Sequence, residues 1–243
     1  MTPSHHLQAL RLSIFVALVV AAATQPRAAR AETGFEAGAR LGYGIALGEI
    51  AEDIDLSDGI EGQIPIWIDV GYRPIDALMV GLYFQYGIGL IEDEACDLDG
   101  VDCSGNDIRL GIQAHYHISP EEQLDPWVGL GIGYEWLNRS VEAMGTEVSS
   151  TLEGFEFLNL QAGLDIAVAE HVKLGPFLSF SLGQYGSGSA ECSGGACSAL
   201  EVFGAEADIE NKALHQWLVI GARVAYTPQQ LELRARTGAV PGG

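Results

Sequence analysis

Large apolar residues alternate with glycine or polar residues through most of this chain. In residues 126–137, for example, the even positions are large and apolar, whereas the odd positions are mostly glycine and include Glu135. A period of two is the period of a β-strand, whose side chains point to opposite faces in turn. The alternation predicts eight strands with two unlike faces, near residues 35–45, 63–72, 78–88, 108–118, 126–137, 158–168, 173–183 and 214–226.

The charged residues of these segments share the parity that lacks large aliphatic side chains. They are Glu36, Arg40, Asp69, Arg109, Glu135, Asp165, Lys173 and Arg223. In a membrane barrel the aliphatic face meets lipid and the charged face lines the lumen. A closed barrel also pairs every backbone polar group, as lipid requires. We therefore predict an all-β fold, an eight-stranded antiparallel transmembrane up-and-down β-barrel.

The predicted connections alternate between long and short. The long ones lie near residues 48–62, 91–106, 139–154 and 187–212, and the short ones near 73–76, 119–125 and 169–172. Outer-membrane barrels have short periplasmic turns and longer external loops. Both ends of the predicted barrel then lie on the periplasmic side.

The first 31 residues have the pattern of an export signal. They contain three arginines and no acidic residue, and an apolar run of about a dozen residues is too short to span a membrane. Ala29, Arg30 and Ala31 match the small-x-small pattern of a cleavage site. We predict a signal peptide at residues 1–31, the barrel at 32–226 and a short periplasmic tail at 227–243.

Composition and charge narrow the class of protein. The chain has 243 residues, a length that all-β barrels commonly reach as one domain. It is 48% hydrophobic, which excludes a disordered acidic protein. Its 33 acidic and 12 basic residues give a net charge of −21, which excludes an electrostatic nucleic-acid binder because such a protein needs a basic face.

The four cysteines fall into two close pairs. They are Cys96 and Cys103, and Cys192 and Cys197. An exported chain enters an oxidising compartment, where disulfides are the default. Four cysteines allow three pairings, and we predict the local one. The alternative is a zinc site, but these spacings match no common zinc motif and no histidine lies nearby.

The predicted long loops hold most of the acidic residues. An acidic surface favours solubility and resists association. The carboxylates are also ligands of the type that Ca²⁺ and Mg²⁺ prefer, and such ions could bridge to anionic lipopolysaccharide. Asp97, Asp99 and Asp102 resemble a fragment of a calcium-binding loop, although the twelve-residue frame of such a loop is missing. We predict no other metal or cofactor.

No catalytic set emerges from the sequence. The triplet of His117, Ile118 and Ser119 matches the His-x-Ser of lipid A deacylases, but its parity faces the lumen and it lies at the periplasmic end of its strand. His115 and His117 lie low in strand 4 and His215 lies high in strand 8, so the three are not expected to converge on one metal. We predict that the chain is not an enzyme.

The strand charges number four of each sign, and such charges in a narrow interior are expected to pair. Paired charges would plug an eight-stranded barrel, which is just wide enough for side chains to fill. The many lumen glycines favour a small-solute channel instead. Trp67, Trp127 and Trp217 oppose that alternative, because they also point inward.

An export signal, eight alternating strands, short turns and glycine-rich lumen parities together resemble the OmpA/OmpX-type small outer-membrane barrels of Gram-negative bacteria. The resemblance covers about residues 33–226 and is one of architecture. It implies residence in outer-membrane lipid, contact with lipopolysaccharide and insertion by the outer-membrane assembly machinery. Members often end in a strand with a C-terminal aromatic residue, whereas here seventeen residues follow Tyr226.

From these features we predict a non-catalytic role in envelope integrity or surface interaction, carried by acidic, disulfide-pinned external loops. The alternative is a narrow channel for a small solute or a lipid. The sequence specifies neither a ligand nor an oligomeric state.

Overall fold

The structure, a computed structural model, describes residues 34–51, 54–91, 96, 98, 100–195, 197, 207–209 and 211–228. The predicted signal peptide and the predicted tail beyond residue 228 lie outside these residues and stay predictions. Asp97 and Asp99 of the calcium hypothesis also lie outside them.

Eight long strands follow one another along the chain, as the alternation predicts. They are β1 (Gly34–Ala51), β2 (Gly62–Ile75), β3 (Leu78–Leu90), β4 (Val101–His117), β5 (Leu124–Ala143), β6 (Thr146–Ala169), β7 (Val172–Gly194) and β8 (His215–Tyr226). Two strands of two residues, Ile54–Asp55 and Ala207–Asp208, and a 3₁₀ turn at Leu56–Asp58 lie in the connections. Within the described residues, no helix is long and apolar enough to cross a membrane.

Each long strand pairs antiparallel with its neighbour in the chain, and β8 closes the ring by pairing with both β7 and β1. The β1–β8 ladder runs from Ala37 opposite Tyr226 to Gly48 opposite His215. Closure leaves neither strand with a free edge over this span. The predicted eight-stranded antiparallel up-and-down barrel is confirmed.

The barrel carries its apolar side chains on the outside. Ile68 on β2 is 54% exposed, whereas its neighbour Trp67 is 2% exposed and points into the lumen. The same contrast recurs on β3, where Phe84 is exposed and Gln85 is buried. Such an inside-out distribution suits hydrocarbon as the surrounding solvent, because lipid solvates aliphatic side chains and the lumen shields polar ones.

The two ends of the barrel differ in their connections. At one end, which we call the turn end, residues 76–77, 118–123 and 170–171 join the strands, and β1 begins and β8 ends there. At the other, which we call the loop end, the connections are residues 52–61, 91–100, 144–145 and 195–214. Three of the four loop-end connections are long, as predicted.

The prediction of a third long loop at residues 139–154 was wrong. β5 continues to Ala143 and β6 begins at Thr146, so that only Met144 and Gly145 form the turn. Both turn residues have positive φ, 52° and 73°, as a type I′ hairpin turn requires. The segment lacks an apolar face because a strand that lies beyond the membrane is wetted on both sides, so hydrophobic alternation does not reveal it.

Four strands continue past the loop end as a sheet, which we call the projecting sheet: residues 101–106, 138–143, 146–151 and 189–194. Its base row pairs Asn106 with Asn138, Asn138 with Thr151, and Thr151 with Ser189. The rows above this base lie beyond the last described pairing of β3 with β4, Ile88 opposite Asn106, and beyond that of β8 with β7, His215 opposite Gly183. β4 and β7 therefore form the two edges of the projecting sheet.

Each edge strand carries one cysteine of a disulfide. Cys103 on β4 is bonded to Cys96, and Cys192 on β7 is bonded to Cys197, which is the local pairing that the sequence predicts. Each bond ties the adjacent connection back to an edge strand. Covering an edge in this way hinders pairing with strands of other chains.

The barrel ladders do not depend on the Cys96–Cys103 bond. We expect the double variant C96S/C103S to keep the electrophoretic mobility shift on boiling that marks a folded barrel, while protease cleaves faster near residue 96. A disulfide that closes so short a loop contributes at most about 3 kcal/mol, here confined to the loop. Limited proteolysis of isolated outer membranes measures the cleavage rate, with S104A on the same strand as the control. Loss of the mobility shift in C96S/C103S would contradict this placement of the bond.

Candidate functional site

The lumen contains the eight charged side chains that the strand parities assign to it. Seven are buried, and Lys173 lies at the turn-end rim with its side chain 11% exposed. Their hydrogen bonds and ion pairs are centred on three arginines, and we call the three sets of contacts the central, turn-end and loop-end groups. Buried polar and charged residues that the sequence analysis did not assign complete each group.

The central group surrounds Arg40 on β1. Its Nε lies 2.7 Å from Oδ2 of Asp69, and its Nη2 donates to Oδ1 of Asp69 at 3.0 Å. Two parallel bonds of this kind match the guanidinium fork to a carboxylate. Nη1 donates to Oε1 of Gln161 at 2.7 Å, and the ring of Trp67 lies 4.7 Å from the guanidinium carbon. Arg40 thus links strands on opposite sides of the lumen.

The turn-end group surrounds Arg223 on β8. Its guanidinium contacts carboxylate oxygens of both Glu36 and Asp165. Trp127 Nε1 also donates to Oδ1 of Asp165 at 3.1 Å. A second arginine, Arg73 near the end of β2, lies 3.3 Å from the other oxygen of Glu36. The alternation does not reveal Arg73, because this residue falls just beyond the predicted second strand.

Asp125 belongs to the same end of the lumen. Its Oδ2 lies 2.7 Å from Nζ of Lys173 and 2.7 Å from Nδ1 of His117, and its Oδ1 accepts from the backbone N–H of Ser119. Sequence analysis placed Asp125 in a turn, whereas it is buried in β5. His117 therefore contacts a carboxylate rather than the Ser119 hydroxyl, which gives no support to a His–Ser nucleophile pair.

The loop-end group surrounds Arg109 on β4. Its guanidinium lies 3.0 Å from Asp107, 3.3 Å from Glu135 and 3.3 Å from Glu156. Gln63 and Gln85 each donate to Asp107 at 2.9 Å, and Tyr83 donates to Glu156. Three carboxylates thus share one guanidinium.

Glu156 illustrates why the sequence did not reveal this group. Leu158 and Leu160 point outward, so strict alternation would place Glu156 outward too. The β6–β7 register shifts between Glu156 and Leu158, and Phe155 and Phe157 are both exposed. A bulge changes which parity faces the lumen. Asp107 is not revealed for a different reason, because it falls between the predicted loop at 91–106 and the predicted strand at 108–118.

Glu135 also accepts hydrogen bonds from the residues beneath the loop end. Tyr185 donates its hydroxyl to Oε1 at 2.6 Å, Trp217 Nε1 donates at 3.2 Å, and His215 Nε2 lies 3.0 Å from Oε2. His215 is thus held in the loop-end group, away from His115 and His117, as the sequence analysis expected.

The first loop-end connection closes the lumen from above. The 3₁₀ turn at Leu56–Asp58 turns Leu56 inward, and Leu56 and Ile60 are fully buried against Leu137, Tyr185 and Trp217. Deeper in the lumen, a second apolar cluster is formed by Trp67, Tyr83, Trp127, Phe177 and Val219. The interior of the barrel is therefore filled by side chains, as expected for eight strands.

The remaining predicted metal ligand lies elsewhere. Asp102 sits on the outer face of the projecting sheet and is exposed. Across that face it lies opposite Glu142, which in turn lies opposite Glu147, and all three are exposed. This line of three carboxylates across β4, β5 and β6 is called the acid row below.

Comparison with known proteins gives a family and several similar folds. The profile of the outer membrane protein beta-barrel domain family matches residues 14–176. Neisserial surface protein A (NspA) is 17% identical, covers 79% of this chain and 97% of its own, and superposes with a TM-score of 0.46. No curated protein matches the chain.

Two further solved structures are similar. A major outer membrane protein of Thermus thermophilus is 11% identical, with 80% of this chain and 98% of that chain covered and a TM-score of 0.48. OprG of Pseudomonas aeruginosa is 13% identical, with 82% of this chain and 100% of that chain covered and a TM-score of 0.46.

Removal of Arg109 should destabilise the barrel, because three buried carboxylates would lose their shared cation. We expect R109M to lower the free energy of unfolding by about 3–5 kcal/mol. Urea titration in lipid vesicles, read by the mobility shift on boiling, measures it. R109K keeps the charge and should recover part of the loss. An unchanged urea midpoint in R109M would show that the group does not stabilise the fold.

The filled lumen should not conduct ions steadily. We expect the purified wild-type barrel to give no long-lived conductance steps in planar lipid bilayers. Three tryptophans occupy the interior, and the buried side chains of Leu56 and Ile60 cover its loop end. The variant W67A/W127A/W217A removes the lumen rings and should leak if it folds. W136A, which alters an outward-parity tryptophan, is the matched control. Steady conductance by the wild type would contradict a plugged lumen.

Proposed function

This chain belongs to the outer membrane protein beta-barrel domain family, and from that premise we propose that it is a non-catalytic surface protein of the Gram-negative outer membrane. Its barrel is the anchor, and the projecting sheet with its disulfide-pinned connections is the working surface. The partner that this surface suits is one that presents positive charge.

One observation supports the proposal above the others. Strands β4 to β7 continue beyond the barrel as a four-stranded sheet, and a disulfide ties each edge strand to its neighbouring connection. A barrel that needs only to span lipid has no use for these extensions. Loops and extensions on a rigid scaffold are common positions for binding surfaces.

The charge on the projecting sheet gives the class of partner. In the acid row, Asp102, Glu142 and Glu147 occupy directly opposed positions on three neighbouring strands. Like charges directly opposite each other destabilise a sheet. A cationic surface, or a divalent ion, that binds along the row would relieve the repulsion.

Divalent ions would extend the role to envelope integrity. Ca²⁺ and Mg²⁺ take carboxylate oxygens, and an ion held by the acid row could also bind the phosphates of lipopolysaccharide. Asp102 is the described residue of the calcium hypothesis that takes part in this row. Insertion by the outer-membrane assembly machinery is part of the same proposal, and family membership supports it.

The alternative of a narrow transport channel has less support. The described interior holds Trp67, Trp127 and Trp217 fully buried, and Leu56 and Ile60 cover them from the loop end. A solute path would require all of these to move. The conductance measurement above separates the two functions.

Neutralising the acid row should weaken binding of a cationic probe. We expect D102N/E142Q/E147Q to bind a fluorescent decalysine peptide about tenfold more weakly than wild type, with a smaller dependence on salt. Exposed charge pairs contribute about 0.2–1 kcal/mol each, so the loss of three pairs is expected to cost an amount that includes the roughly 1.4 kcal/mol of a tenfold change in affinity. Fluorescence anisotropy with the barrel in nanodiscs of phosphatidylcholine, which is neutral overall, measures the affinity.

The matched control removes three acidic residues at the turn end, in D76N/E121Q/E122Q. This variant should bind the peptide like wild type. If both variants weaken binding equally, net charge rather than the acid row attracts the probe. If D102N/E142Q/E147Q binds unchanged, the acid row is not the binding surface.

A further inference from the structure

Three potential metal ligands converge in the lumen near the turn end. One ligand atom from each of Glu36, His115 and His117 lies within 4.8 Å of the others, and all three side chains are buried. Glu36 belongs to β1 and the two histidines to β4, which lies three strands away around the ring. The cluster therefore crosses the interior and does not follow one ladder.

The hydrogen bonds of His117 determine which of its nitrogens is free. Nδ1 lies 2.7 Å from Oδ2 of Asp125, and since a carboxylate only accepts, Nδ1 carries the proton. Nε2 is therefore the ring nitrogen that is left for a metal ion, which would bind it in its unprotonated form. It is buried and has no hydrogen-bond partner among the described residues.

The hydrogen bonds of His115 also leave one of its ring nitrogens without a partner among the described residues. Its Nε2 lies 3.0 Å from Oε1 of Gln161 and 3.2 Å from Nη2 of Arg40. Nη2 of Arg40 already donates to Asp69 and Gln113, so the proton on Nε2 is free to go to Gln161. Nδ1 of His115 is then the lone pair, and it too is buried without a partner in the described structure.

We propose that Glu36, His115 and His117 form a binding site for one transition-metal ion of the Zn²⁺ class. Two imidazole nitrogens and one carboxylate oxygen are a common ligand set for Zn²⁺ and its neighbours, whereas Ca²⁺ and Mg²⁺ require oxygen ligands. Asp125 behind His117 and Gln161 behind His115 supply the outer hydrogen bonds that orient metal-binding imidazoles. This site is independent of the acid row and of the proposed surface function.

Glu36 already contacts two arginines, so a metal ion that binds Glu36 must displace at least one of them. Arg73 makes a single described contact with Glu36, at 3.3 Å, and its Nε and Nη2 have no hydrogen-bond partner among the described residues. It is the side chain that an incoming cation would displace. Arg223 keeps Asp165 as a partner, and the carboxylates of Asp125 and Asp165 lie beside His117 to offset the added charge.

An ion would reach the site from the turn end. Lys173, which contacts Asp125 and the carbonyl of Pro120, is partly exposed at that rim. A bound ion would join β1 to β4 across the lumen and so raise the heat resistance of the barrel, because an ion that binds only the folded state stabilises it.

The test uses tag-free mature chain in detergent, stripped of metal with a chelator. Co²⁺ titration followed by visible absorption, and Zn²⁺ content after dialysis, should both give one ion per chain. H117Q and H115Q should abolish binding, and D125N should weaken it about 10- to 100-fold. H215Q, a buried histidine of the loop-end group, and H171Q at the turn end are matched controls that should bind like wild type.

Two results would overturn the proposal: no ion bound by wild type at micromolar free Zn²⁺, or equal loss of binding in H215Q and H117Q. If H115Q or H117Q fails to fold, the effect of Zn²⁺ on the heat resistance of the wild-type barrel still tests the proposal. One equivalent of Zn²⁺ should then raise the temperature at which the folded barrel loses its faster electrophoretic mobility in unboiled samples. The E36Q variant should show a smaller rise. An unchanged temperature in wild type would count against the site.

Discussion

Hydrocarbon offers no hydrogen-bond partner to a backbone amide, and the rest of this structure follows from how eight strands meet that constraint. Pairing β8 with β1 removes the last free edges within the barrel. The aliphatic faces then meet lipid, which leaves only the lumen for charged and polar side chains. Charges in so narrow a space must pair, since an unpaired buried charge is costly.

In each group the lumen places an arginine beside a tryptophan. Arg40 lies beside Trp67, Arg223 beside Trp127 and Arg109 beside Trp217, with guanidinium-to-ring distances of 4.7, 5.0 and 5.4 Å. Each guanidinium binds at least one carboxylate and lies over an indole ring, an arrangement that suits the planar, delocalised charge. Such an interior is filled, and every arginine in it contacts a carboxylate, which supports an anchoring role for the barrel more than a conducting one.

Beyond the loop end, the solvent on both faces of the strands is water, and the constraints change. The projecting sheet can carry serine, threonine and glutamate on its outer face, and disulfides protect its two edges where barrel closure no longer does. The like charges of the acid row repel one another and destabilise the sheet, so folding alone does not explain them. In our proposal this repulsion is relieved when the projecting sheet binds a cationic partner. The arrangement of the barrel, by contrast, follows from its lipid surroundings.

Alternation along the chain was sufficient to predict eight strands, their lipid-facing residues, eight of the charged residues of the interior and, with the oxidising compartment, the disulfide pairing. These features are local, because the period of a strand is two and the cysteines are close in sequence. Glu156, the β5–β6 hairpin and the convergence of Glu36 with His115 and His117 were not predictable in this way. A bulge in β6 reverses a parity, water on both faces removes the apolar signal, and residues 79 positions apart meet only when the register of four strands around a closed ring brings them together.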